Sequence, residues 1–113
     1  MARESEQELL EKIRSLVADA KYRVRIHAVR HMIEEGFTES DIVASLTGKS
    51  KILELYVDEC RCLISGSFKI TENVRSPLHL VCDYSRDDVV DIVTAYIPQK
   101  PWWASPSQRG QQR

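Results

Sequence analysis

Hydrophobic residues recur along the first half of the chain with the period of a helix and along the second half with the period of a strand. In "SEQELLEKIRSLVADA" the apolar positions are Leu9, Leu10, Ile13, Leu16 and Val17, spaced i, i+1, i+4, i+7 and i+8. That spacing predicts an amphipathic helix, and Ser5 with Glu8 three residues on is a capping box at its start. "KYRVRI" then alternates Tyr22, Val24 and Ile26 with Lys21, Arg23 and Arg25, a short strand or an extended linker with one apolar side. A second helix is expected from His27 to Glu35, burying Val29, Met32 and Ile33. Gly36 would close it in the left-handed conformation, with Phe37 folding back onto Met32. Thr38 caps a third helix with Asp41 three residues later; Ile42, Val43 and Leu46 face inward, and Gly48 stops it.

From residue 51 the period changes to two. "KILELYV" reads as a strand closed by a turn at Asp58 and Glu59. "CRCLISGSFKI" places Cys60, Cys62, Ile64, Phe68 and Ile70 on one face. Gly66 breaks that row and marks a bulge or a close backbone approach. "TENVRSP" reads as a loop. "LHLVCDY" sets Leu78, Leu80, Cys82 and Tyr84 against His79 and Asp83, and "VVDIVTAYI" is the most β-branched run, ended by Pro98. Short connections favour an antiparallel meander. The expected fold is α+β, with N-terminal helices packed on one face of a four-stranded, mainly antiparallel sheet. The boundaries expected are an N-terminal helix over 1–20, the α+β core over 21–98 and a tail over 99–113.

Length and composition fit one modest core: 113 residues, 42% hydrophobic and 29% charged. The charged start "MARESEQELLEKIRSL" lacks a signal core, and no apolar run approaches a membrane span of about 18 residues, so the cytoplasm is the expected compartment. Three cysteines, an odd number, fit reduced thiols. A net charge of −1 argues against a protein that coats nucleic acid. The charge is unevenly spread, however. Lys21, Arg23, Arg25 and Arg30 fall with His27 and His31 in a stretch without acids, enough for a local anion-facing patch. In the tail, Trp102 and Trp103 are costly to leave in water, so docking on the domain or on a second copy is expected. Stacking on a nucleobase is the sharper alternative.

The chemical candidates begin with His27 and His31, four residues apart and therefore on one helical face, with Arg30 at its rim. Three readings stay open. The two imidazoles could hold zinc, although Ala28 stands where a metalloprotease has glutamate and no third ligand is marked. They could move protons on a phosphodiester that an arginine holds bidentately. They could also be an ordinary solvated face. Cys60, Cys62 and Cys82 make a poor metal set, because residues i and i+2 of a strand lie about 6.6 Å apart. Tetrahedral zinc brings its sulfurs within about 4 Å, so buried core thiols are the better reading. His79, Thr94 and Tyr96 are polar positions on apolar strands, and the Tyr96 hydroxyl could serve as an acid or a phosphate anchor. Arg61, Arg75 and Arg86 could ring a phosphate. No phosphate-binding glycine loop, serine elbow or dinucleotide fingerprint occurs, and neither a cofactor nor a metal is expected.

"HAVRHMIEEGFTESDI", "PLHLVCDY" and "VDIVTAYIP" resemble the ordered motifs of a widespread bacterial group known only as a domain of unknown function. That group carries His-Ala-x-x-Arg-Met, then Arg-Gly-Ile, then Ser-x-x-Asp-Ile, and closes on Thr-x-Tyr. The resemblance spans residues 22 to 98. It implies kinship with RelE-like toxins, small α+β ribonucleases that cleave RNA without metal. Fold kinship alone does not transfer activity. By position, His27 matches the family histidine, and Thr94 and Tyr96 match the closing motif. His31 stands where the family has arginine, and Arg30 lies one place earlier, about 100° round the helix. The implied ribonuclease would use His27, Arg30, His31 and Tyr96 in catalysis. Arg23, Arg25, Arg61, His79 and Thr94 would bind substrate. Its partners would be RNA, an antitoxin-like protein or a second copy, and no membrane. A non-catalytic interaction or homodimerisation module is the alternative.

Overall fold

Ser5 opens the first helix by the reciprocal pairing its sequence predicts. The Glu8 N–H donates to Ser5 Oγ at 3.0 Å, and the Ser5 N–H donates to Glu8 Oε1 at 3.1 Å. The structure, a computed structural model, describes residues 5–99 and, as backbone, two short strands at 103–105 and 108–109. Trp102 and the side chain of Trp103 lie outside the described residues, and with them the expectations for the tail.

Helix α1 (Glu6–Ala18) buries Leu9, Leu10, Ile13 and Val17. Ala20 then adopts a left-handed φ of 61°, which reverses the chain into strand β1 (Tyr22–Val24). Helix α2 (Ile26–Glu35) follows without a side-chain cap and ends at Gly36, whose φ of 81° suits glycine. Phe37 turns inward, its ring 6.2 Å from that of Phe68. Helix α3 (Glu39–Thr47) starts from a second reciprocal cap, Thr38 with Asp41. Then come β2 (Lys51–Tyr56), a 3₁₀ turn at Val57–Glu59, β3 (Arg61–Thr71), β4 (Val74–Asp83) and β5 (Val90–Tyr96). Strands β6 (Trp103–Ser105) and β7 (Gln108–Arg109) pair with each other.

The main sheet has the order β1-β5-β4-β3-β2. Strands β2 to β5 form the expected antiparallel meander, but the sheet has five strands rather than four. The fifth is β1, which runs parallel to β5 with Tyr22 opposite Val90 and Val24 opposite Ile92. Three residues alternate too briefly to decide between a short strand and an extended linker, and the partner that decides it lies almost seventy residues away.

Two other local expectations change. "TENVRSP" is not a loop: only Glu72 and Asn73 turn, and Phe68 pairs with Ser76 and Ser67 with Pro77. Proline is tolerated there because β5 flanks β4 only from His79 onward, so Pro77 has no second neighbour awaiting its missing N–H. Cys60 leaves the buried row because it sits at the end of the 3₁₀ turn with φ 53°, half-exposed.

The core lies between the helices and one face of the sheet. Ile64, Leu80 and Ala95 form one cross-strand row, and Cys62, Cys82 and Ile92 another, packed under α1 and α3. Gly66 is the close approach its position suggested. A Cβ there would overlap the Ser45 carbonyl oxygen and lie 3.0 Å from its carbon, so α3 crosses β3 backbone to backbone.

Candidate functional site

Helix α2 does not lie on the sheet; it takes over the flank of β5 where β1 stops. The Arg25 N–H donates to the Ile92 carbonyl at 3.0 Å, and the Ile97 N–H donates to Glu35 Oε1 at 2.7 Å. One end of the helix is thus tied to β5 and the other to the residue that follows it. The lengths agree, since ten helical residues rise about 15 Å and five steps of strand about 17 Å. Ala28, fully buried, lets the helix approach closely, and Met32 closes the gap. Ile33 departs from expectation by standing 79% exposed, and Ile26 is 61% exposed. One helix cannot turn its whole apolar set to a single strand.

This placement sets His31 against the last strand. Its Nδ1 pairs with Glu35 Oε2, one helical turn on, while the other Glu35 oxygen holds the Ile97 N–H. The imidazole is therefore oriented by a carboxylate that is itself anchored to the backbone just past β5. The Tyr96 ring lies 6.4 Å from that of His31, and the His79 ring lies 5.4 Å from Tyr96, edge to face. His79 is fully buried on β4, directly opposite Tyr96 across the strand pair. Thr94 shares that face two residues from Tyr96, opposite Val81.

His31 and His79 thus both contact the Tyr96 ring, and Glu35 steadies His31. His27 and Arg30 remain outside this group. Both are exposed, and neither makes a hydrogen bond or ion pair among the described residues. Glu35 escaped the sequence reading, although its signal was present as a histidine and an acid four apart on a helix.

The remaining candidates are occupied. Arg23 Nε donates to Asp91 Oδ1 at 2.7 Å, and Arg25 Nη1 to Asp91 Oδ2 at 2.9 Å, across the β1–β5 pair. The Arg23 bond, then that of Arg25, holds the Asp91 carboxyl below the ordinary aspartate range against its partial burial. Arg61 reaches Asp83 at 3.1 Å. Burial works against the charge of Asp83, but hydrogen bonds from Ser85 and Arg61 outweigh it and lower its pKa. Arg86 pairs with Asp88, and Arg75 with Ser67. The arginines do not ring one anion.

Cys62 and Cys82 face each other across β3 and β4 as free thiols. Burial pushes Cys62 up to about 12 and Cys82 well above its usual value, so neither ionises near neutrality. Among the described residues no group of three or more His, Cys, Asp or Glu could hold a metal ion. Among the described residues, two open hollows lie elsewhere. One, of about 490 Å³, holds a Tyr22–Glu39 hydrogen bond of 2.5 Å, which raises the pKa of the phenol. The other, of about 280 Å³, lies between Lys49, Lys51 and Ser65–Ser67.

Three helices and a mixed five-stranded sheet, with a histidine–carboxylate pair where α2 meets β5, define an α+β domain. The chain belongs to the family described as Domain of unknown function (DUF4258), whose model matches residues 25–97. That span holds α2, α3 and the meander and leaves out α1. No curated protein and no solved structure matches the chain. Among the described residues no helix is long and apolar enough to cross a membrane.

Proposed function

We propose that the chain is a RelE-like, metal-independent endoribonuclease whose working face is the outer side of α2 beside Tyr96. One observation carries the reading: His31 is oriented by Glu35, and Glu35 is fixed to the backbone at Ile97, just past β5. A carboxylate on Nδ1 leaves Nε2 as the basic nitrogen, the arrangement that proton abstraction needs. His31 Nε2 accepts the proton of a ribose 2′-hydroxyl. The 2′-oxygen attacks phosphorus, and the bond to the 5′-oxygen breaks. His27, about 6 Å along the same helical face, protonates that leaving oxygen as an imidazolium. The products are a 2′,3′-cyclic phosphate and a 5′-hydroxyl, and the proton taken by one histidine equals that given by the other. Arg30, exposed and without an ion pair among the described residues, receives the charge growing on the phosphoryl oxygens. Tyr96 packs beside the His31 ring. Geometry thus favours His31, rather than His27, as the proton acceptor.

Incubation of the purified chain with RNA in chelator tests this. Cleavage is expected, falling by about 10²–10⁴ in His31→Ala, with Glu35→Gln in between. Cleavage that is absent, or equal in all three proteins, overturns it.

A second reading, a non-catalytic interaction module, draws on Ile26 and Ile33. They stand exposed seven residues apart on α2 with Arg30 between them. An apolar stripe of this kind suits the groove of a protein partner. It predicts that Ile33→Glu abolishes partner capture while leaving RNA untouched.

A further inference from the structure

The turn from α3 into β2 leaves a hollow at the edge of the sheet. Helix α3 stops at Gly48, whose carbonyl accepts from Arg14 Nη2 at 2.6 Å. Lys49 and Ser50 carry the chain on to Lys51, where β2 begins opposite Ser65. Beyond that pair β3 continues without β2, so Gly66 and Ser67 have no strand neighbour on this flank among the described residues. The gap of about 280 Å³ left there is lined by Lys49, Ser50, Lys51, Ser65, Gly66 and Ser67.

The chemistry of the hollow is of one sign, with neither an acid nor a large apolar side chain in its lining. Lys49 and Lys51 are exposed and make no ion pair among the described residues, whereas Lys12, Lys69, Arg61 and Arg86 each face a carboxylate. Lys51, Ser65 and Ser67 share one face of the β2–β3 pair. Ser67 Oγ accepts from Arg75 Nε at 3.1 Å, which leaves its own proton to be given outward. The Ser65 hydroxyl makes no hydrogen bond among the described residues, while that of Ser50 is engaged with the Leu46 carbonyl at 3.2 Å. Two buried polar atoms at the same corner also find no partner among the described residues. They are Arg14 Nε and the Oγ of Ser45, the residue that meets Gly66. Each of these unmet groups can donate, and leaving buried donors unmet is costly.

The geometry points to a binding site for a phosphate monoester group, whose oxygens accept from the ammonium groups of Lys49 and Lys51 and from the hydroxyls of Ser65 and Ser67. Such a group brings three terminal oxygens and nearly two negative charges to two cations and two hydroxyls. A carboxylate, with two oxygens and one charge, would match only half of them. Along the row Lys51, Ser65, His79 and Tyr96 the site lies three strand spacings, about 14 Å, from Tyr96. It is independent of the ribonuclease reading.

Amide spectra of the full isotope-labelled chain, titrated with inorganic phosphate at constant ionic strength in chloride, test this. Saturable shifts are expected at residues 49–51 and 65–67. Lys49→Gln and Lys51→Gln should each weaken binding about threefold, and together about tenfold. Lys69→Gln, whose lysine pairs with Glu72, should leave it unchanged. Dimethyl phosphate, a diester with one charge, should bind several-fold more weakly. Glycerol phosphate and vesicles containing phosphatidic acid separate a soluble ester from a lipid headgroup, and at least one should bind as well as phosphate. Shifts that never saturate, that centre on other residues, or that persist unweakened in the double variant overturn the site. Equal binding of the diester, or binding of neither ester, overturns its assignment to a monoester.

Discussion

Ala20 and Gly66 show how much a single Cβ decides in this chain. Ala20 adopts φ 61° to turn α1 into β1, a conformation that costs an alanine about 1 kcal/mol or more. Its N–H donates to the Val17 carbonyl at 3.0 Å, so the turn is held by the backbone and not by the methyl group. Ala20→Gly is expected to stabilise the protein by about 0.5–1 kcal/mol in urea unfolding. Gly66 is the opposite case. Its missing side chain admits the Ser45 carbonyl, so Gly66→Ala has to push α3 off β3. A loss of about 1–3 kcal/mol is expected from that overpacking, measured by thermal or urea unfolding.

At the scale of elements, the join between β1 and β5 rests on Asp91, 13% exposed and gripped by Arg23 and Arg25. Its carboxyl titrates below the ordinary aspartate value of 3.8. A depressed pKa in the folded state means that the stabilisation is complete above the unfolded value and fades as pH falls through the folded one. Both arginines are more than half exposed, and solvent screening keeps the contribution at about 1–2 kcal/mol. Asp91→Asn should remove about that much at pH 7. It should also flatten the acid limb of the stability curve below pH 4, which urea melts from pH 2 to 7 would follow.

The elements themselves were legible wherever a local rule wrote them. The Ser5/Glu8 and Thr38/Asp41 boxes, the Gly36 terminus and the alternation of β2 to β5 lie in short windows of sequence. What stayed open or escaped was written between distant residues. Strand β1 exists because β5 is beside it, and Pro77 sits in a strand because β5 does not reach it. The candidate site divides in the same way. His31 and Tyr96 were marked by residue type, but their meeting depends on α2 running along β5, which no periodicity records. Arg23, Arg25 and Arg61 were marked as basic, and their sequestration by Asp91 and Asp83 needed the register.

For the molecule as a whole, the thiols offer a gauge of integrity. Cys62 and Cys82 lie opposite each other in the centre of the core, where burial holds them protonated. Cys60 stands half-exposed at the end of the 3₁₀ turn. A thiol reagent under native conditions should therefore label one site promptly, and the other two only as fast as the domain opens. Rapid labelling of all three would mean that the core is not packed as described.

The hand-over from β1 to α2 also governs how the molecule meets other polypeptides. A helix offers no free row of amides, so the flank of β5 that α2 occupies is closed to strand addition. Strand β1 leaves a border of only three residues, one of them a charged arginine. Any β-augmentation, by a peptide or in the first step of aggregation, is steered to the Lys51–Tyr56 margin on the far side. The bulge at Ile52–Glu54 and the lysine at its start are the features there that would discourage it.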